Sequence, residues 1–218
     1  MSAVRILIAD DHEVVRSGLR LLLERQPGWQ VCAEAVTGRE AVEKAKQLKP
    51  DVIVLDVSMP VLNGLEAVRQ IRKALPQAQV LVLTMHESEQ LVRELLDAGA
   101  QGYLSKSEAG RQVVAAVEML SQHKPFFVGK VARVVLDGYL KSGARRNREV
   151  LPSDFLTPRE REIVQLLSEG KSNKEVAVAL DLAVKTAETH RANIMRKLDF
   201  HSLAELIRYA IRNKIVEP

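Results

Sequence analysis

Short apolar runs alternate with stretches of helical period over the first 120 residues. Val4–Ala9 is apolar apart from Arg5, and Val14, Val15, Leu19, Leu22 and Leu23 then recur on one side of a helix. The same alternation predicts a strand near Val31–Ala35 with a helix from Arg39 to Leu48. Val52–Leu55 is a strand with a helix from Leu65 to Ala74, and Val80–Leu83 a strand with a helix from Glu87 to Asp97, closing at Gly99. A short strand at Tyr103–Leu104 precedes a helix from Ala109 to Leu120. Val52-Ile53-Val54-Leu55 has no polar alternation, the mark of a strand covered on both faces. Five βα units in succession predict a doubly wound, five-stranded parallel sheet of flavodoxin-like type.

The pattern changes after residue 122. His123-Lys124-Pro125 is expected to end the sheet module, and Val128, Val131, Ala132, Val135, Leu136 and Tyr139 recur at helical spacing. Lys141–Glu149 is basic, contains glycine and has no period, as a tether would. From residue 151 three capping boxes follow one another: Thr157 with Glu160, Ser172 with Glu175 and Ser202 with Glu205. Pro158 suits a first helical position, Gly170 a stop, and Asp181-Leu182-Ala183 a turn into a further helix from Val184 to Leu198. Four short helices, two of them joined by a tight turn, predict an all-α helix-turn-helix module. The expected domains are 1–122, a linker at 123–150 and 151–218.

Composition narrows the picture. The chain has 218 residues with 46% hydrophobic content, enough for two cores. Its single cysteine, Cys32, makes no internal disulfide, and no run approaches the roughly 18 apolar residues of a membrane span, so a cytoplasmic protein is expected. The net charge of +4 is unevenly spread. Residues 1–122 carry 14 basic and 16 acidic groups, 123–150 carry 7 and 2, and 151–218 carry 11 and 10. Bulk charge therefore makes no case for nucleic acid, and placement within a helix must.

Candidate chemistry gathers at the predicted strand ends: Asp10 and Asp11, Asp56, Thr84 and Lys106. Open α/β sheets bind ligands beyond the carboxyl ends of their strands, so these groups share one rim. Three carboxylates suit Mg²⁺, a carboxylate is a competent nucleophile toward phosphorus, and an ammonium neutralises phosphoryl charge. The chemistry implied is formation of an aspartyl phosphate at Asp56. Each group has a plainer reading: Asp11 as a helix cap, Thr84 as a strand-end residue, Lys106 as a solvated side chain. Their recurrence at successive strand ends is what favours the site.

With the Asp10-Asp11 pair, Asp56 followed by Met59-Pro60 and Asn63-Gly64, Thr84, and Tyr103-x-x-Lys106, residues 3–122 resemble the receiver domain of two-component response regulators. The resemblance implies that Asp56 accepts phosphate from a sensor histidine kinase. It implies that Asp10, Asp11, Asp56 and the Val57 carbonyl surround Mg²⁺, that Thr84 and Lys106 hold the phosphoryl oxygens, and that Tyr103 changes rotamer with Thr84. Ser107 stands where many receivers have proline, which leaves the isomer of the Lys106–Ser107 bond open.

In the Val184–Leu198 helix, Ala187, Ile194 and Leu198 share one face, and Lys185, Glu188, Thr189, Ala192 and Arg196 the other. Small, polar and basic side chains together are what base-edge readout and phosphate contact require, although a charged face is also simply solvated. Leu156-Thr157-Pro158-Arg159-Glu160-Arg161-Glu162, Gly170-Lys171-Ser172-Asn173-Lys174-Glu175-Val176-Ala177 and Val184-Lys185-Thr186-Ala187-Glu188-Thr189-His190 resemble the LuxR-type DNA-binding domain. Together the two likenesses place the chain with the NarL/LuxR subfamily, which implies a transcription factor on double-stranded promoter DNA. The candidate contacts are Lys185, Thr186, Glu188, Thr189, His190, Ala192, Asn193, Arg196 and Lys197. Ala183 and Ala187 depart from the family's frequent Ser and Val. The last helix shows Leu203, Leu206, Ile207, Ala210 and Ile211 on one side, a candidate face for a homodimer formed on phosphorylation.

Two other functions are weighed. A haloacid-dehalogenase-like phosphatase needs a second Asp two residues after its nucleophile, and Ser58 stands there. A phosphate-independent DNA-binding protein would not need the intact set of Asp10, Asp11, Asp56, Thr84 and Lys106.

Overall fold

The computed structural model describes residues 3–85, 88–129, 131–132, 156–213 and 215–216. They fall into two compact units, each described by itself.

The first unit is a parallel sheet wrapped by helices. Its strands are β1 (Val4–Ala9), β2 (Trp29–Ala35), β3 (Val52–Asp56), β4 (Gln79–Thr84), β5 (Gly102–Ser105) and β6 (Phe126–Phe127), in the order β2-β1-β3-β4-β5-β6. The helices are α1 (Glu13–Glu24), α2 (Gly38–Leu48), α3 (Gly64–Ala74), α4 (Glu89–Asp97) and α5 (Lys106–Ser121). Helices α1 and α5 contact one another, as do α2 with α3 and α3 with α4, so the sheet is covered on both faces. Every residue of β3 and β4 is buried, which accounts for their lack of polar alternation. Ile6, Ile8, Val52, Val54, Leu81 and Leu83 meet Leu19, Leu23, Val113, Val117 and Leu120 in one core cluster. The alternate residues Leu7, Ile53, Leu55 and Val82 are fully buried on the other face.

Two expectations change and one open point is settled. The sheet has six strands instead of five, because Phe126–Phe127 pairs in parallel with Gly102–Tyr103. Two half-buried residues after a proline are too short a run to carry a periodic signal. Helix α5 begins at Lys106, directly after β5, and not at Ala109. The Lys106–Ser107 bond is trans, in line with the cost of about 3–4 kcal/mol for a non-prolyl cis bond.

The second unit holds α6 (Pro158–Ser168), α7 (Asn173–Ala179), α8 (Val184–Lys197) and α9 (Leu203–Arg212). All three expected capping boxes form, each with the reciprocal backbone and side-chain bonds. Asp181 takes the left-handed conformation between α7 and α8, and Leu182 N–H closes on the Ala177 carbonyl at 2.8 Å. Ile163, Leu166, Leu167, Val176, Ala187, Ile194, Leu206 and Ala210 form the core. Phe200 packs edge-on against Tyr209, with ring centroids 5.6 Å apart. Among the described residues no helix is long and apolar enough to cross a membrane. Most of the expected linker helix, with Val135, Leu136 and Tyr139, and the Lys141–Glu149 tether lie outside the described residues.

Candidate functional site

The strand order turns at β1 and β3, which lie side by side in the sheet, and the crevice at such a turn is where doubly wound sheets bind ligands. Asp10 follows β1 and Asp56 ends β3, each 1% exposed; Thr84 ends β4 and is fully buried. Lys106 opens α5 straight after β5 and reaches back across the rim. Its Nζ lies 2.8 Å from Asp10 Oδ2 and 2.8 Å from Asp56 Oδ2. Asp11 stands beside them as an exposed residue. The structure therefore brings Asp10, Asp11, Asp56 and Lys106 together, with Thr84 on the neighbouring strand end.

Electrostatics follow from that placement. Burial pushes the Asp56 carboxyl above its ordinary value; Lys106 opposes the shift and the Asp10 charge adds to it. Burial also pulls the Lys106 ammonium down, but the two carboxylates outweigh it and hold it above its ordinary value. Three carboxylates face one ammonium, so the site is left anionic. Asp10 Oδ2 and both Asp56 oxygens are buried without a partner in hydrogen-bond geometry, Lys106 meeting two of them only as an ion pair. Buried, unsatisfied anionic oxygen is what a hard divalent cation needs, and one ligand atom from each of Asp10, Asp11, His12 and Asp56 lies within 4.8 Å of the others. The residues fit such an ion.

Two further expected residues are the Val57 carbonyl, directly after β3, and Tyr103, within β5. The Val57 carbonyl accepts the Gly64 N–H at 2.8 Å, which leaves it a second lone pair. Tyr103 is 4% exposed within β5. Two participants, His12 and Arg16, were not singled out from the sequence, and the role of Gly64 goes beyond the loop position expected of it. His12 Nδ1 sits 2.8 Å from Asp11 Oδ1 and 3.2 Å from Asp10 Oδ1. Arg16 donates to the Asp10 carbonyl at 2.9 Å and ties to Glu34. Gly64 lets the β3–α3 loop fold tightly, since a Cβ there would fall 2.3 Å from the Asp56 carbonyl oxygen. Adjacency of His12 to the acidic pair was the available signal for the first.

On α8, Lys185, Thr186, Glu188, Thr189, Ala192, Arg196 and Lys197 are exposed and His190 and Asn193 half-buried, while Ala187 and Ile194 face the core. Ala183 makes no side-chain cap, as its residue type requires. Arg196 donates to Asn193 Oδ1 at 2.9 Å, and Thr189 to the Lys185 carbonyl at 2.8 Å. Lys197 Nζ is 2.8 Å from Glu160 Oε2, tying the end of α8 to the capping box of α6. Burial tends to raise the Glu160 carboxyl, but bonds from Lys197 and Thr157 hold it below its ordinary value. Lys197 thus has a structural task in addition to the phosphate contact expected of it.

A correction concerns α9. Leu206 and Ala210 are fully buried in the core of their own unit, so neither belongs to an open face. Leu203 is 38% exposed, and Ile207 and Ile211 are half-buried.

Comparison with known proteins bears on both units. Residues 6–118 match the family model described as "Response regulator receiver domain", and residues 154–210 that of "Bacterial regulatory proteins, luxR family". The chain is 39% identical to the transcriptional regulatory protein LiaR of Bacillus subtilis, across 98% of this chain and 99% of that one. It is similar to the RcsB response regulator of Salmonella typhimurium at 25% identity and a TM-score of 0.59, covering 99% of this chain and 100% of the other. A structure of an RcsB–DNA complex aligns at 26% identity and a TM-score of 0.58, over 95% and 98% of the two chains.

Proposed function

Because the chain belongs to the response regulators that join a receiver domain to a LuxR-family DNA-binding domain, and is thus a phosphorylation-dependent transcriptional regulator, we propose that Asp56 is its phosphoryl acceptor. One observation carries the assignment: a carboxylate 1% exposed at the end of a buried strand, with an ammonium 2.8 Å from one of its oxygens.

An Asp56 oxygen attacks the phosphorus of a phosphohistidine on a sensor histidine kinase. The P–O bond forms as the P–N bond breaks, and its electron pair returns to the imidazole. Lys106 and the Thr84 hydroxyl hold the phosphoryl oxygens, and Asp10 with Asp11 keeps the rim anionic enough to hold a cation beside them. Mg²⁺ bound by Asp10, Asp11, Asp56 and the Val57 carbonyl would supply the positive charge that the carboxylates and the transferring group both need. Tyr103 follows Thr84 as the buried aromatic of the neighbouring strand, and phosphate biases an equilibrium between two arrangements of the pair.

DNA is read by α8 lying in a major groove, a reading supported by the complex that RcsB forms with DNA. Replacing Lys185 is expected to weaken binding to all sequences and flatten its salt dependence. Replacing Glu188 or Thr189 is expected to change the preferred bases at roughly 1–3 kcal/mol per contact. Binding-site selection with Glu188→Ala checks this; an unchanged preferred site would remove Glu188 from the groove.

Dimerisation uses the part of α9 that its own core leaves open, Leu203, Ile207 and Ile211, and sets two recognition helices on half-sites about one helical turn apart. Gel filtration and a DNA-shift assay, with and without acetyl phosphate and Mg²⁺, test the whole reading. Phosphodonor is expected to produce dimers and tighten binding to paired half-sites. Ile207→Glu should still be labelled yet lose the tight binding; paired sites bound as by the parent would exclude this face.

A further inference from the structure

The residue after the acidic pair has no task in the scheme above. His12 is the N-cap of α1, a position where a Ser, Thr, Asn or Asp side chain bonds the free helix N–H groups, but its ring makes no such bond. Its backbone N–H instead donates to Asp10 Oδ1 at 2.8 Å, and the ring turns to the same side. Nδ1 comes to rest 2.8 Å from Asp11 Oδ1 and 3.2 Å from Asp10 Oδ1.

Those two separations have a second meaning besides hydrogen bonding. Ligand atoms each about 2.1 Å from an octahedral ion, on adjacent corners, are roughly 3.0 Å apart. Nδ1 is thus spaced from each of the two carboxylate oxygens as from a neighbouring corner of one coordination shell, and the ligand atoms of the cluster all lie within 4.8 Å of one another. The same small region holds Asp56 Oδ1, buried with no hydrogen-bond or ion-pair partner, while Lys106 alone meets Asp10 Oδ2 and Asp56 Oδ2; three carboxylates against one ammonium leave the cluster short of positive charge before His12 is considered.

Resting on the metal-binding reading of this site, the geometry points to His12 as a further ligand, supplying Nδ1 and giving the site a preference for first-row transition ions over Mg²⁺. Mg²⁺ takes oxygen and keeps its water, whereas imidazole nitrogen favours the later ions of the first row. A carboxylate-only shell discriminates weakly between ions of similar size. One nitrogen among the oxygens adds affinity for the transition ion and almost none for Mg²⁺. The regulator would then respond to which divalent ion is present as well as to phosphate supply.

The test uses the full chain with Co²⁺ and Mg²⁺ as probes, titrated calorimetrically in the parent and in His12→Ala. Because the ring caps nothing, the variant is expected to melt with the parent. Loss of one nitrogen ligand is expected to weaken Co²⁺ on the order of tenfold or more while leaving Mg²⁺ within a factor of about three. In proton NMR the Co²⁺ form of the parent should show hyperfine-shifted imidazole resonances, absent from His12→Ala. If the variant weakens both ions equally or neither, and no such resonance is lost, the ring only hydrogen-bonds the carboxylates and the proposal is overturned. If the parent binds neither ion, the metal reading of the site fails and this inference with it.

Discussion

Asp56→Asn is expected to abolish covalent labelling by a phosphodonor, a complete loss and not a reduction. Two buried carboxylates share the rim, and Asp56 is the one expected to react, because its Oδ1 alone meets neither a donor nor the ammonium. Asp10 Oδ1 is held by the His12 N–H at 2.8 Å and Oδ2 by Lys106, whereas Asp56 ends the central strand with Lys106 as its ion-pair partner. Removing the Asp56 charge leaves Lys106 still paired with Asp10, so no buried ammonium is stranded and the fold should persist. The measurement is hydroxylamine-labile phosphate on the intact protein. Label persisting in Asp56→Asn would move the acceptor to Asp10 or Asp11 and sink the assignment.

Gly64→Ala is expected to cost the first unit roughly 3 kcal/mol or more, a large effect for a single methyl group. The added carbon would lie 2.3 Å from the Asp56 carbonyl oxygen, 2.6 Å from Val57 Cα and 2.9 Å from Leu55 Cδ2. Two of these are backbone atoms that no rotamer change can clear. The loop must open, the Gly64 N–H must leave the Val57 carbonyl, and the acceptor strand end must shift with it. Urea unfolding should show the loss, and the remaining folded protein should bind divalent ions less tightly. An unchanged midpoint would mean that the loop yields at no cost.

The reach of the sequence can be judged from these same residues. Asp10, Asp56, Thr84 and Lys106 were legible because each follows an apolar run, and parallel strands bring all such ends to one rim. That argument needs only topology, and topology follows from alternation of period. Gly64 read as a loop residue, but its fit against Asp56 depends on a backbone approach of a few ångströms that periodicity does not encode. His12 was passed over because an exposed helix start explains a polar residue adequately. On α9 the periodicity marked one apolar face correctly but gave no way to divide it: Leu206 and Ala210 are consumed by the core, and the line between core and surface depends on where α6 lies. Lys197 looked free because its partner Glu160 is 37 residues away and belongs to another helix.

Phe126–Phe127 has a consequence for how copies of the chain can meet. Without it β5 would offer a row of open backbone donors and acceptors beside Lys106, a template for a strand from another molecule. Pairing of Gly102 with Phe126 and Tyr103 with Phe127 makes β5 an interior strand and leaves on that side an edge only two residues long. An edge so short gives too few main-chain bonds to recruit a neighbour. Self-association on this flank is thereby steered away from sheet extension, the route that leads to open-ended polymers, and toward side-chain surfaces that close after two copies.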